Sequence, residues 1–339
     1  MLDMHNTMLE NGLDFILDAC NQLKIFENTK DEIEKRRSIK YNLLHLLSGI
    51  ELVMKARLFL DNWTYIFSKM DEANRRALNR GTLKSVEYSK CVERLKKLCD
   101  VNVADQDAFE DLRQSRNQVE HFYTTESFPA IESKINRALS ATVKFLVDNY
   151  DVYESPPVVD LRKNMNLTFT DSEKKLIEDI NTAVNELRLH HQEAVEFAIK
   201  RTEEIRLSNE LYICPDCKEK VLVVADENED DKCHCFLCGY KNNGEETARD
   251  YLLRVQGIDE YITVKDGGEY PLYDCPDCGK QSLIKIGSKY ICFSCRMEYG
   301  IDEVRFCTEC GTLYTCFDRE NNGICNNCKK YLIEKMENE

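Results

Sequence analysis

No stretch of this 339-residue chain approaches the roughly 20 apolar residues that a membrane-spanning helix requires, so a membrane role is not expected. A basic start followed by an apolar run is missing too. The opening MLDMHNTMLENGLDF carries acidic groups instead, and no secretory signal is expected. Positive charge is scarce: the formal net charge of −15 argues against a broad grip on nucleic-acid backbone and confines any such contact to a local patch. A basic recognition helix of the sort used by DNA-binding regulators is also lacking. Cysteine is nearly absent from the first 210 residues of the chain. Of 17, only Cys20, Cys91 and Cys99 precede Leu211, and each reads as a small buried apolar residue. What remains is the expectation of a cytoplasmic protein of about two or three domains.

What is present first is helical periodicity. Leu9, Leu13, Ile16, Leu17, Cys20, Leu23 and Ile25 form one apolar stripe. A second run holds Leu43, Leu44, Leu46, Leu47, Ile50, Val53, Met54 and Leu58, leaving little polar face. Helices of that kind are usually buried on several sides. Its few charges, Glu51, Lys55 and Arg57, stand out as supports for a site or as surface groups. Weaker helical patterns cover 63–70, 82–98 and 108–122, the last capped by Asp105 or Asp107. A final helix over 131–150 closes a helical domain at 1–150. Residues 151–169, with Pro156 and Pro157 and no sustained period, mark the best boundary. Thr170 and Glu173 then form a capping box that opens a helix to about residue 209, roughly 55–60 Å long. Its seam of Leu176, Ile180, Ala183, Leu187, His190, Ala194 and Phe197 suits packing on its own domain or a dimerising or connecting helix. The linker and this helix occupy 151–209.

The other fourteen cysteines follow a repeating pattern. Cys214 and Cys217 pair with Cys235 and Cys238 in a first module, 210–258, which ends in a short helix. Cys275 and Cys278 pair with Cys292 and Cys295 in a second, 270–303. Cys307 and Cys310 pair with Cys325 and Cys328 in a third, 304–339, which closes on a helical cap. Gaps of 13 to 17 residues between the pairs suffice for a short hairpin. Two residues between thiolates let one tight turn aim both sulfurs at one ion, and two turns complete a tetrahedral four-sulfur zinc site. A glycine follows Cys238, Cys278 and Cys310, as a turn with positive φ favours. The modules resemble zinc ribbons. Four thiolates leave no position for a reactive water, so three structural Zn²⁺ ions are expected. Cys233, His234 and Cys316 are surplus, and Cys233 or Cys316 is a conceivable substitute ligand. Lys280, Lys285, Lys289 and Arg296 with Tyr290 and Phe293 form the best basic-aromatic patch, or else a solvated face over core aromatics.

One further stretch carries chemistry. In LRQSRNQVEHF, residues 112–122, Arg113, Asn117 and His121 share a helical row, and Arg116 lies beside it. Arg116 and His121 are about 140° apart around a regular helix, so they meet only by wrapping, by irregularity or across two subunits. A bland reading pairs either with Glu120. The other histidines of the helical part, His5, His45, His190 and His191, lack partners at catalytic spacing and read as ordinary.

The order Arg113-x-x-Arg116-Asn117-x-x-x-His121, with Glu51 on a preceding apolar helix, resembles the Arg-x4–6-His signature of the HEPN superfamily over about residues 1–150. The resemblance implies a compact helical bundle that commonly dimerises, lining a shared cleft with two Arg/His motifs. It implies a metal-independent endoribonuclease in which RNA's own 2′-hydroxyl attacks. Arg116, Asn117, His121 and Glu51 would be catalytic and Arg113 substrate-binding. His121, titrating near neutrality, is suited to proton transfer, and Arg116 to phosphate oxygens. Family members include toxins and phage-defence effectors, so RNA, a second copy and an antitoxin or defence-system protein are the expected partners. The alternative is a non-catalytic adaptor that binds nucleic acid or protein through the same bundle and ribbons. The fold class expected overall is mainly α: a HEPN-like bundle, a long connecting helix and three small ribbons of short β-hairpins.

Overall fold

The computed structural model describes residues 2–103, 105–121, 126–150, 170–204, 210–226, 232–315 and 323–337. They divide into two compact units, Met1–Glu193 and Ala194–Glu339, so the division falls within a helix rather than at the proline pair. Residues 151–169, the expected linker, lie outside the described residues.

The first unit is helical. Helices α1 (Leu2–Asn28) and α2 (Glu32–Asp61) pack along much of their length. Asp31 caps α2 by accepting from the Ile33 amide at 2.9 Å, and Glu32 and Glu34 complement its positive end. The α1–α2 contact is close because of two glycines. A Cβ on Gly49 would lie 2.7 Å from the Gly12 carbonyl oxygen, and one on Gly12 would meet Val53 at 2.8 Å. Leu9, Leu13, Ile16 and Leu23 thereby reach Leu43, Leu46, Ile50 and Val53 in one core. Burying each such side chain contributes on the order of 1.5–3 kcal/mol.

After α2 the chain makes a short 3-10 turn at Trp63–Ile66 and α3 at Arg75–Arg80. The expected helix over 82–98 is shorter than its pattern. Residues 82–87 are not helical: Phe67 bridges Ser85, the Val86 amide donates to the Ile66 carbonyl at 2.8 Å, and only α4 (Tyr88–Leu98) is helical. The buried Arg94 guanidinium fixes this crossing by donating to the carbonyls of Tyr65 (2.5 Å), Phe67 (2.5 Å) and Ser68 (2.9 Å). A buried charge is tolerated when its donors are satisfied in this way. Helices α5 (Gln106–His121) and α6 (Phe128–Tyr150) follow. Tyr150, at the end of α6, donates its hydroxyl to the Val53 carbonyl of α2 at 2.6 Å.

Helix α7 (Asp171–Glu204) begins with the expected capping box, Thr170 amide to Glu173 at 2.8 Å and Glu173 amide to Thr170 at 3.1 Å. Its seam is buried only in part. Ile180, Ala183 and Leu187 join the helical core, whereas His190 and Ala194 are exposed, and Phe197 is 68% exposed.

The second unit holds three antiparallel sheets. β1 (Leu222–Asp226), β2 (Lys232–Cys235) and β3 (Lys241–Asn242) form the first, followed by α8 (Gly244–Arg254) and α9 (Glu260–Lys265). β4 (Leu272–Asp274), β5 (Gln281–Ile286), β6 (Lys289–Cys292) and β7 (Glu298–Gly300) form the second. β8 (Val304–Phe306) and β9 (Leu313–Thr315) form the third, and α10 (Asn326–Glu337) ends the described chain. The register places Leu283 opposite Cys292, and Phe306 opposite Leu313, so each hairpin brings a knuckle beside the small core beneath it.

Adjacent sheets share side chains. Phe293, fully buried, receives the Tyr212 ring at 5.8 Å and the Tyr251 ring at 5.3 Å, and its carbonyl accepts from the Cys233 thiol at 3.4 Å. Gly244 sits so close that a Cβ there would lie 2.6 Å from the Phe293 carbonyl oxygen. Val304 and Leu313 of the third sheet belong to the same core as Tyr290 and Tyr299 of the second. No helix among the described residues is long and apolar enough to cross a membrane.

Candidate functional site

Helix α5 is placed by one face. Ala108, Phe109, Leu112 and Ser115 are buried, and Asp105 caps the helix by accepting from the Ala108 amide at 3.2 Å. Arg137 of α6 holds that end through Asp111 at 3.1 Å and Asp105 at 3.4 Å. With the apolar face fixed inward, Glu110, Arg113 and Asn117 project along another face, beside Arg116.

That face borders an open cleft of about 520 Å³ whose other wall is α2 and the segment leading into α4. Glu51 and Lys55 of α2, Tyr88 of α4, and Glu110, Arg113, Arg116 and Asn117 of α5 all line it. Four of the five catalytic or substrate-binding candidates therefore stand around one space. The fifth is His121. Its backbone ends α5, but its side chain lies outside the described residues, as does that of Glu120.

The cleft's charges are interlocked. Lys55 bonds Glu51 at 2.9 Å and Ser85 at 3.4 Å. Arg113 grips Glu110 through two bonds of 2.9 and 2.6 Å, which holds the Glu110 carboxyl below its usual range. Arg116 donates to the Asn117 side-chain oxygen at 3.2 Å. Glu51, Glu87 and Glu110 thus balance Lys55, Arg113 and Arg116 among the lining residues. Sequence patterns did not point to Tyr88. Its hydroxyl is enclosed without a hydrogen-bond partner, and burial, then the Glu110 charge, pushes its pKa up.

The second unit carries three metal centres. Cys214, Cys217, Cys235 and Cys238 bring their sulfurs together, as do Cys275, Cys278, Cys292 and Cys295, and Cys307, Cys310, Cys325 and Cys328. Four sulfurs about 2.3 Å from a common zinc stand about 3.8 Å apart at tetrahedral angles. The observed separations are 3.6 Å for Cys214–Cys238, 3.7 Å for Cys217–Cys235, 3.7 Å for Cys275–Cys295, 3.6 Å for Cys278–Cys292 and 3.8 Å for Cys310–Cys325. A disulfide would need about 2.05 Å. These are structural zinc sites, closed by four thiolates each. All four ligands of the first site are buried, whereas the second and third each include one exposed cysteine, Cys278 and Cys310.

The turns that aim the thiolates repeat one geometry. The amide four residues after the first cysteine donates back to that cysteine's carbonyl at 2.9–3.0 Å in all six pairs. Five of these residues have φ between 64° and 78°. Gly239, Gly279 and Gly311 do so without strain, while Lys218 and Arg296 accept the left-handed region as side-chain-bearing residues. At the sixth, Cys325–Cys328, the turn is the start of α10.

Of the surplus groups, Cys233 is buried against the second sheet and neither it nor His234 joins a sulfur cluster. Cys316 lies outside the described residues. The basic-aromatic patch is not a stacking surface: Tyr290 and Phe293 are buried, and Lys289 is held by Glu210 and Glu298, each at 2.7 Å.

No protein-family model, curated protein or solved structure matches this chain.

Proposed function

We propose that the helical unit is a HEPN-type, metal-independent endoribonuclease whose zinc ribbons recognise substrate or partner. One observation carries the reading: Glu51 of α2 lines the same cleft as Arg113, Arg116 and Asn117 of α5. In this reading the 2′-hydroxyl of a bound nucleotide loses its proton to a base and attacks the adjacent phosphorus. The P–O5′ bond breaks and the leaving oxygen takes a proton from an acid. Arg116 neutralises charge that develops on the non-bridging oxygens. His121 carries a proton, and a second copy of the chain supplies a second histidine, so base and acid are divided between subunits. Asn117 and Glu51 orient these groups, and Arg113 holds the substrate backbone. The products are a 2′,3′-cyclic phosphate and a 5′-hydroxyl. Such an activity fits a toxin or phage-defence effector of the cytoplasm, restrained by a protein partner.

The test uses zinc-loaded protein without added metal or chelator, because chelation would unfold the ribbons. Wild-type protein should cut cellular RNA to those ends, and His121→Ala or Arg116→Ala should lose about 10²–10⁴-fold in rate. Undiminished cleavage by His121→Ala removes the catalytic assignment.

A second reading, a non-catalytic adaptor, is favoured by the balanced charge of the cleft and by the Glu110 clamp on Arg113. RNA or protein binding with no cleavage by the wild-type dimer would establish it.

A further inference from the structure

Away from the cleft, three helices bring metal-binding groups to one point. Glu27 lies in the last turn of α1, Glu132 in the first turns of α6, and His190 in the second half of α7. A ligand atom from each lies within 4.8 Å of the others. Nothing in the spacing of the sequence links them.

The groups beside these carboxylates that can carry positive charge are the imidazoles of His190 and His191, and no lysine or arginine among the described residues pairs with either. The Glu27 side chain is 11% exposed and its Oε1 is enclosed. His190 Nδ1 stands 3.2 Å from that oxygen, yet the pair is not aligned as a hydrogen bond. Lys24, one turn before Glu27, is drawn to Glu186 at 2.7 Å, and Lys35 to Glu32 at 3.7 Å. Two carboxylates held together with burial, and offset only by the titratable His190 and His191 and by the fields of Lys24 and Lys35, neither of them paired here, are costly unless a cation joins them. A divalent ion bonded at about 2.0–2.2 Å to oxygen and imidazole nitrogen sets its ligand atoms roughly 3.0–3.5 Å apart, the separation already seen between Glu27 and His190.

We propose that Glu27, Glu132 and His190 form a three-ligand site for a divalent transition-metal ion. Two carboxylates neutralise its charge, and a mixed oxygen–nitrogen set without sulfur suits Zn²⁺, Mn²⁺ or Fe²⁺ rather than a soft cuprous ion. His190 is 58% exposed, so water reaches the remaining coordination positions. The ion would staple the end of α1 and the start of α6 to α7, a role independent of any reaction in the cleft.

Manganese is the probe, since thiolate sites filled with zinc take it up poorly. Zinc-loaded full-length protein titrated with Mn²⁺ and followed by electron paramagnetic resonance should show one saturable site per chain beyond the three zinc ions. Affinity should fall at least about tenfold in Glu132→Gln and His190→Ala, the smallest effect that even outer partners of metal ligands produce. Mn²⁺ should raise the melting temperature of the wild type and not of the variants. If Glu132→Gln does not fold, His190→Ala, which removes a largely exposed ring, decides. Absence of a saturable site, or undiminished binding by His190→Ala, overturns the proposal.

Discussion

Lys134 Nζ lies 2.8 Å from the Glu126 carboxylate, with side chains 8% and 11% exposed, and Ser115 donates to the same carboxylate at 3.0 Å. Ser115 immediately precedes Arg116 on α5. The buried pair therefore ties the helix that carries two of the cleft's three cations, Arg113 and Arg116, to the beginning of α6.

Removing one partner of a buried pair leaves the other charge without its counter-ion in a poorly solvated place. Lys134→Ala should destabilise the helical unit by about 3–5 kcal/mol. The double variant Lys134→Met, Glu126→Leu should recover most of that loss. Denaturant unfolding monitored by far-ultraviolet circular dichroism measures both, and equal stability of the single variant and wild type would show that the pair is solvated.

The three zinc sites should release metal in order of exposure. Cys278 in the second site and Cys310 in the third are exposed, whereas all four ligands of the first are buried. A chromogenic chelator should take the second and third zinc ions before the first. Cys310→Ser protein should contain two zinc ions per chain rather than three by elemental analysis.

Thiols in the helical unit should be inert. Burial pushes Cys20 and Cys91 up to about 12, and the thiolate is the reactive form. Neither should be alkylated by iodoacetamide at pH 8 in folded, zinc-loaded protein. The sign of the linkage follows: an unfolded chain ionises these thiols near pH 9 while the fold does not. Their contribution to stability is full below about pH 9 and is lost as pH rises toward 12. Mass-spectrometric mapping and alkaline melting curves check the two statements.

Glu110→Gln should loosen Arg113 and give the cleft one net positive charge. Binding of an RNA oligonucleotide should tighten by up to about fivefold, the size of an exposed charge interaction, and the gain should vanish in high salt. Fluorescence anisotropy at two ionic strengths measures this. Unchanged or weaker binding would place Arg113 outside the ligand's path.

The parts of this molecule that were legible in sequence are those whose determinants are local. Each zinc knuckle is set by two cysteines and a turn, so spacing alone located all twelve ligands. The α1 and α2 stripes and the Thr170–Glu173 box were legible for the same reason. Residues 82–87 were not, because their extended path depends on Arg94 gripping carbonyls some 26 to 29 residues earlier in the chain. Tyr88 and Glu110 enter the cleft through the packing of three helices, which no single period reveals. His190 read as an unremarkable seam residue, yet it stands beside Glu27, a neighbour supplied by the return of α7 to the bundle. The seam itself stops at Leu187 because the core against which it packs stops there.

Phe293 and the Val304–Leu313 pair make the second ribbon a common neighbour, touching the first on one side and the third on the other. Energetically this is a short linear chain of three units, in which stability is a sum of each unit's own term and its neighbour terms. The middle zinc therefore belongs to two interfaces at once. Losing an outer ion should loosen one boundary, whereas losing the central ion should loosen both.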